Sequence, residues 1–221
     1  MMLSGTNRRL QMASAAIKAA VSSLLNYDIF WDGANQHEFL ETINASVDQS
    51  GRLVKLLTLV FRLEAGNLLL KREPQVLQEI VSAVQDHIAT RFPHLTFGLT
   101  LPQEGVPALV DYEFLMLALE FLLEVIEQMG VRRIGIQAVE KTDCWVLKFE
   151  GLDAVHIQYI QKVFEQNLDQ AAASNTVPAE HLLRLYVASQ ILFLQEIRAE
   201  FPDSSNPPPR LRLVVPIQLS K

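Results

Sequence analysis

The sequence predicts an α+β chain: an N-terminal helical hairpin, then an α/β sandwich in which helices cover one face of a sheet. Three observations predict it. Apolar residues recur at helical spacing through the first 65 residues or so. After Pro74 the pattern switches repeatedly between helical and period-two segments. Gly66-Asn67, Pro93 and Pro207-Pro208-Pro209 punctuate the chain where those segments should end.

The elements follow in order. Ala13, Ile17, Ala20, Val21 and Leu24 give a first helix that ends near Asp28. Asp32-Gly33-Ala34-Asn35 is a turn signal, and a second helix runs from about Gln36 to Ala65. Phe39, Ile43, Val47, Val54, Leu57 and Phe61 form one stripe on it, widened by Leu53, Leu56, Val60 and Leu63. One antiparallel neighbour cannot cover so broad a stripe. Each such side chain left bare forgoes roughly 1.5–3 kcal/mol of burial. A homodimer through a four-helix bundle is therefore expected, with Ile43, Val47, Val54, Leu57 and Phe61 at the interface.

Val76 to Phe92 is predicted helical and Leu95 to Leu101 a strand with one buried face. Pro107 to Val110 is a short strand, and Asp111 is the N-cap of a helix reaching about Met129. Strands follow at Arg132 to Val139 and Cys144 to Phe149, joined by the polar turn Glu140 to Asp143. Helices at about Ala154 to Leu168 and Ala179 to Leu194 and a last strand at Leu211 to Leu219 complete the chain.

Composition narrows the function. The 221 residues are 49% hydrophobic and 20% charged, with a formal net charge of -6. Disorder is excluded, and a general nucleic-acid binder needs a concentrated basic patch. The doublets Arg8-Arg9, Lys71-Arg72 and Arg132-Arg133 are scattered and read as solvated surface. One cysteine, Cys144, permits neither a disulfide framework nor a thiolate metal site. The greasy run Phe114 to Met129 is interrupted by Glu120, Glu124 and Glu127, so it spans no membrane. Arg8-Arg9 before a small-residue run mimics a twin-arginine signal, but Lys18 falls within its apolar core. A cytoplasmic protein is expected.

Phe39-Leu40-Glu41-Thr42-Ile43 through Arg62-Leu63-Glu64-Ala65-Gly66 resembles the second hairpin helix of bacterial sensor histidine kinases, including its RLEAG ending. Lys71-Arg72-Glu73-Pro74 is similar to the entry to that family's ATP-binding domain, and Val163-Phe164-Glu165 to its IFE segment. Leu183 to Leu192 resembles the helix after its second glycine box. The resemblance implies a dimerisation hairpin over residues 1–68 and a histidine-kinase ATPase-like sandwich over 69–221.

The departures decide the chemistry. The resemblance places a phosphoacceptor histidine near Gln11, yet there is none between Met1 and Gln36. His37 opens the second helix, where the family is not phosphorylated. The two asparagines implied after Asp111, one a magnesium ligand, correspond to Phe121 and Val125, and an expected basic residue to Gln128. The first glycine box corresponds to Glu150-Gly151-Leu152-Asp153-Ala154, with Leu152 and Ala154 in both glycine positions. The second, near Leu182-Leu183-Arg184-Leu185, has no glycine, and the lid segment Asp169 to Asn175 is short and alanine-rich. Bare backbone amides cradle phosphates only where glycine permits their approach.

A catalytically inactive, dimeric interaction or scaffold module in two-component signalling is therefore expected, with no cofactor, no metal and no catalytic residue. Tyr27, Phe30 and Trp31 form the expected partner-binding patch, for a receiver domain or another kinase. A divergent kinase or phosphotransfer protein using His37 is the alternative from another class, and a small ligand in the altered nucleotide cleft is a third. Glu120, Glu124 and Glu127 read as a solvated helix face, and His87, His94, His156 and His181 lack ligand spacing. Ser22-Ser23 and Ser204-Ser205 have no evident base partner, and Trp31 and Trp145 read as core or hairpin-cap residues.

Overall fold

The computed structural model describes residues 12, 14–15, 17–19, 21–22, 33–102, 105–165, 178–202 and 210–217, with the side chains of 33–39 left aside. The short pieces within 12–22 are helical, as the N-terminal periodicity predicts.

Helix α1 spans Gly33–Glu64. It begins three residues before the expected start, so Gly33-Ala34-Asn35 are helical rather than a turn. Glycine and asparagine serve helix entries as well as turns, and local composition does not separate the two uses. The far end matches expectation. Gly66 adopts φ 65° and its N–H donates to the Leu63 carbonyl, while Asn67 N–H donates to the Arg62 carbonyl at 2.8 Å. That paired closure is the Schellman arrangement, which needs a residue tolerant of positive φ.

Burial splits the predicted apolar stripe in two. Leu56 and Val60 are buried in the sandwich core, and Leu53 is buried as well. Leu57 and Leu63 lie partly buried against that core. Leu40, Val47, Val54 and Phe61, spaced by seven, remain between 50% and 57% exposed. Ile43 and Ser50, also spaced by seven, are half-buried beside them. Apolar residues every seven positions make a seam suited to another helix.

The sandwich follows. Strand β1 (Glu73–Gln75) pairs antiparallel with β3 (Ala108–Val110), and helix α2 (Leu77–Arg91) lies between them in sequence, followed by strand β2 (Thr96–Thr100). Helix α3 covers Tyr112–Gln128, then come β4 (Arg133–Glu140), β5 (Cys144–Glu150), α4 (Ala154–Glu165), α5 (Ala179–Leu194), β6 (Arg198–Glu200) and β7 (Leu211–Pro216). The five-stranded sheet has the order β2-β4-β5-β7-β6, with β2 parallel to β4 and every other pairing antiparallel. Neither β1 nor β6 is expected from sequence. Three residues carry too little alternation to reveal a strand, and Pro74 is tolerated because β1 lies at an edge.

Register explains the two faces. Ile136, Phe149 and Leu211 lie side by side, as do Ala138, Leu147 and Leu213, all buried. The intervening row on the opposite face is Gln137, Lys148 and Arg212, and the row beyond it on that face is Val139, Val146 and Val214. Helices α2, α3, α4 and α5 contribute Ile80, Val84, Leu119, Leu122, Ile157, Ile160, Leu185 and Ala188 to the same core as the apolar rows. Trp145 is buried, with its indole N–H donating to the Val106 carbonyl at 2.7 Å.

The link between α1 and the sandwich is pinned. Asp111 caps α3 by accepting from Phe114 N–H at 3.1 Å, as expected. Its second oxygen accepts from Lys71 N–H at 2.7 Å, and its own N–H donates to Gln195 Oε1 at 2.7 Å. Arg72 donates to Glu196 at 2.9 Å and to the Gln195 carbonyl at 3.4 Å. Among the described residues no helix is long and apolar enough to cross a membrane.

Candidate functional site

A cleft of about 530 Å³ opens between α1 and the sandwich. The α1 wall supplies Arg52, Lys55, Leu56, Leu59 and Arg62, facing Leu117, Glu120, Phe121 and Glu124 of α3. Arg91, the last residue of α2, and Arg184 of α5 close it. Five cations and two carboxylates therefore meet over an apolar floor.

Here the structure overturns an expectation. Glu120 and Glu124 do not lie on a solvated face: they are 7% and 1% exposed. Only Glu127 keeps a share of surface, pairing with Arg132 at 2.8 Å. Helical periodicity shows that Glu120 and Glu124 share a side of α3, but the cations that make this side habitable come from distant elements. Glu124 accepts from both Arg91 and Arg184. Arg184 also reaches Glu180 at 2.7 Å, and its guanidinium sits 5.4 Å from the centre of the Phe121 ring. Glu120 pairs with His87 Nδ1. A carboxylate this deep is costly unless paired, and Glu124 is paired twice.

The cations also crowd one another. Burial first, and then the charges of Arg184 and Arg52, pull the Arg91 guanidinium below its ordinary value. Arg91 further lies over the Phe92 ring, 5.3 Å from its centre.

Of the positions compared with the family's magnesium and phosphate motifs, Phe121 and Arg184 line this cleft and the others sit elsewhere. Val125 is fully buried, and Phe121 is buried except for the face it turns to the cleft. Leu152, Leu182, Leu183 and Leu185 are all buried in the core, whereas Ala154 is exposed. Gly151 adopts φ 89°, and a Cβ there would approach the Arg133 carbonyl oxygen to 2.4 Å, so packing at the end of β5 requires the glycine. Glu150 lies at that strand end, opposite Gly135.

Other residues named from sequence are dispersed. His156 pairs with Asp153 at 2.7 Å on α4. Cys144 opens β5 with its thiol raised above the ordinary value, by burial and then by Asp143. Among the described residues no group of three or more His, Cys, Asp or Glu could hold a metal ion. Tyr27, Phe30, Trp31, the lid Asp169 to Asn175 and Ser204-Ser205 lie outside the described residues, as does the side chain of His37.

Sequence reasoning misses the cationic cluster itself. Arg52, Lys55 and Arg62 lie on one exposed flank of α1 and were legible as such by spacing. Arg91 and Arg184 come from helices 93 residues apart and carry no shared local signal.

No protein-family model matches the chain, and no curated protein matches it. Solved structures do. The histidine kinase AdeS of Acinetobacter baumannii is 15% identical, over 96% of this chain and 98% of that one, with a TM-score of 0.60. The ATP binding domain of PrrB from Mycobacterium tuberculosis is 18% identical, covering 67% of this chain and 98% of its own, at a TM-score of 0.50. Full-length ShkA, solved in complex with AMPPNP, is 11% identical and matches all of this chain at a TM-score of 0.63, but the match covers 47% of ShkA. At these identities the likeness is one of fold. A long helix leading into a one-sided α+β sandwich gives this chain a histidine kinase transmitter-like fold.

Proposed function

We propose that the chain is a catalytically inactive histidine-kinase-like protein that acts as a dimeric interaction or scaffold module in two-component-type signalling. One observation carries the reading. Positions compared with the family's magnesium ligand and phosphate-cradling glycines are filled by Val125, Leu152, Leu182 and Leu183, buried in the packed core, and by Ala154, which is exposed. The buried side chains stabilise the sandwich, and all of these residues offer no oxygen to a metal and no bare amide to a phosphate. The absence of a histidine from Met1 to Gln36 supports the same conclusion from the phosphoacceptor side. An imidazole nitrogen is required there, and Gln11 cannot form the phosphoramidate.

The seam Leu40, Val47, Val54 and Phe61 supports dimerisation, because it is apolar, regularly spaced and exposed on the single chain. Two copies related by a two-fold axis cover it with the same residues, completing a four-helix bundle with the N-terminal helical stretch. The module would work in the cytoplasm, with a receiver domain or another kinase as partner, docked near Tyr27, Phe30 and Trp31. The test is incubation with magnesium and γ-labelled ATP, followed by detection of acid-labile label on the chain. No label is expected. Label that disappears in a His37→Gln variant would replace this reading with an unorthodox phosphoacceptor.

A further inference from the structure

We propose that strand β6 is a second self-association surface, and that its partner is the same strand of another copy of this chain. β6 ends the five-stranded sheet, and among the described residues it pairs with β7 alone. Successive residues of a strand aim their N–H and C=O groups to opposite sides, so some backbone groups of β6 are offered outward. Such an edge is a template for one more strand. The surface belongs to the sandwich and shares no residue with the seam on α1.

The residues Arg198-Ala199-Glu200 name the occupant. Antiparallel pairing of this strand with itself, about a two-fold axis through Ala199, sets Arg198 opposite the partner's Glu200 and Glu200 opposite the partner's Arg198. Both side chains are exposed, and neither has an ion-pair partner among the described residues. Unlike charges directly opposed stabilise a strand pair, and like charges oppose it. An axis through Arg198 or Glu200 instead would face like with like, so charge selects the register. Along the edge a groove of about 330 Å³ lies between β6 and the ends of α4 and α5. Phe193, 73% exposed, borders it with Phe201, which meets Phe164 edge-on at 6.0 Å. The two-fold axis brings the two grooves together, so each copy covers apolar surface of the other. Three residues make a small contact, and small contacts are weak. The contact needs no seam on α1, but with both surfaces in use, dimers closed through α1 join further through β6.

Sedimentation equilibrium of the full chain carrying Phe61→Asp isolates the contact, because that substitution disables the α1 seam. Its mass should stay near 24.9 kDa at micromolar concentration and climb toward twice that value as the concentration nears about millimolar. Arg198→Glu, whose neighbour on β7 is Val214, should weaken this association by about tenfold or more, and Glu200→Arg should do the same. Combining Arg198→Glu with Glu200→Arg restores unlike pairs and should restore association. An equimolar mixture of the two single variants should associate as well. A mass that holds near 24.9 kDa to millimolar concentration would overturn the proposal. Single reversals that associate unchanged would overturn it too, as would a double variant that fails to recover. A parent chain already monomeric at micromolar concentration would sink the α1 dimer alone and leave this test as it stands.

Discussion

Glu124 and Arg184, sixty residues apart in sequence, form an ion pair in which both side chains are almost wholly withdrawn from water, at 1% and 5% exposure. The pair ties α3 to α5, and Arg91 adds α2 through the same carboxylate. Three helices thus share one charged knot, beside the His87–Glu120 pair that also joins α2 to α3. Breaking it should be expensive. Glu124→Leu leaves two guanidiniums at the site without their common acceptor, and should lower unfolding free energy by about 3–5 kcal/mol in denaturant titration. A shift below about 1 kcal/mol would mean that water reaches the network and that burial does not set its strength.

The bare seam on α1 makes a second expectation specific. Val47 is 50% exposed and Phe61 57% exposed, so Val47→Asp or Phe61→Asp changes little within one chain. In a dimer packed through these residues a carboxylate is desolvated without a partner. Light scattering should therefore report a dimer for the parent and a folded species near 24.9 kDa for either variant. Leu56→Asp should instead unfold the chain, because Leu56 belongs to the sandwich core. A parent mass near 24.9 kDa at micromolar concentration would contradict the dimer.

Tyr186 on α5 donates its hydroxyl to Glu64 at the end of α1, and its pKa is pushed up to about 12 from 10.0 by burial and then by Glu64. A raised folded-state value favours the neutral phenol in the folded chain. Its contribution to stability is therefore complete below pH 10.0 and is lost as pH rises through about 12. Spectrophotometric titration of the four tyrosines should show late-ionising phenols, Tyr159 among them because burial raises it further. Tyr186→Phe should remove one phenol from that late class. Ionisation of Tyr186 at the ordinary value would show that the junction of α1 and α5 is open to water.

Much of the architecture was legible in the sequence because its determinants are local. Periodicity, the Gly66 cap and the Asp111 cap suffice for α1, α3 and α5, whose ends fall close to expectation. The strands β4, β5 and β7 follow from alternation that the sheet's two faces exploit. What escaped depends on distance. β1 and β6 are three-residue edges that become strands only through partners elsewhere in the chain. Glu120 and Glu124 have the spacing of surface acids, and only the arrival of His87, Arg91 and Arg184 allows them inside. The stripe on α1 was visible, but its division into a buried seam and a bare one required the sandwich to be in place.

The central claim is that this fold no longer handles nucleotide, and calorimetric titration of the intact chain with magnesium-ATP tests it most directly. With Val125, Leu152, Leu182 and Leu183 committed to the core, no saturable heat should appear up to millimolar nucleotide, an affinity weaker than about 4 kcal/mol. A binding isotherm with a dissociation constant in the micromolar range would contradict the account.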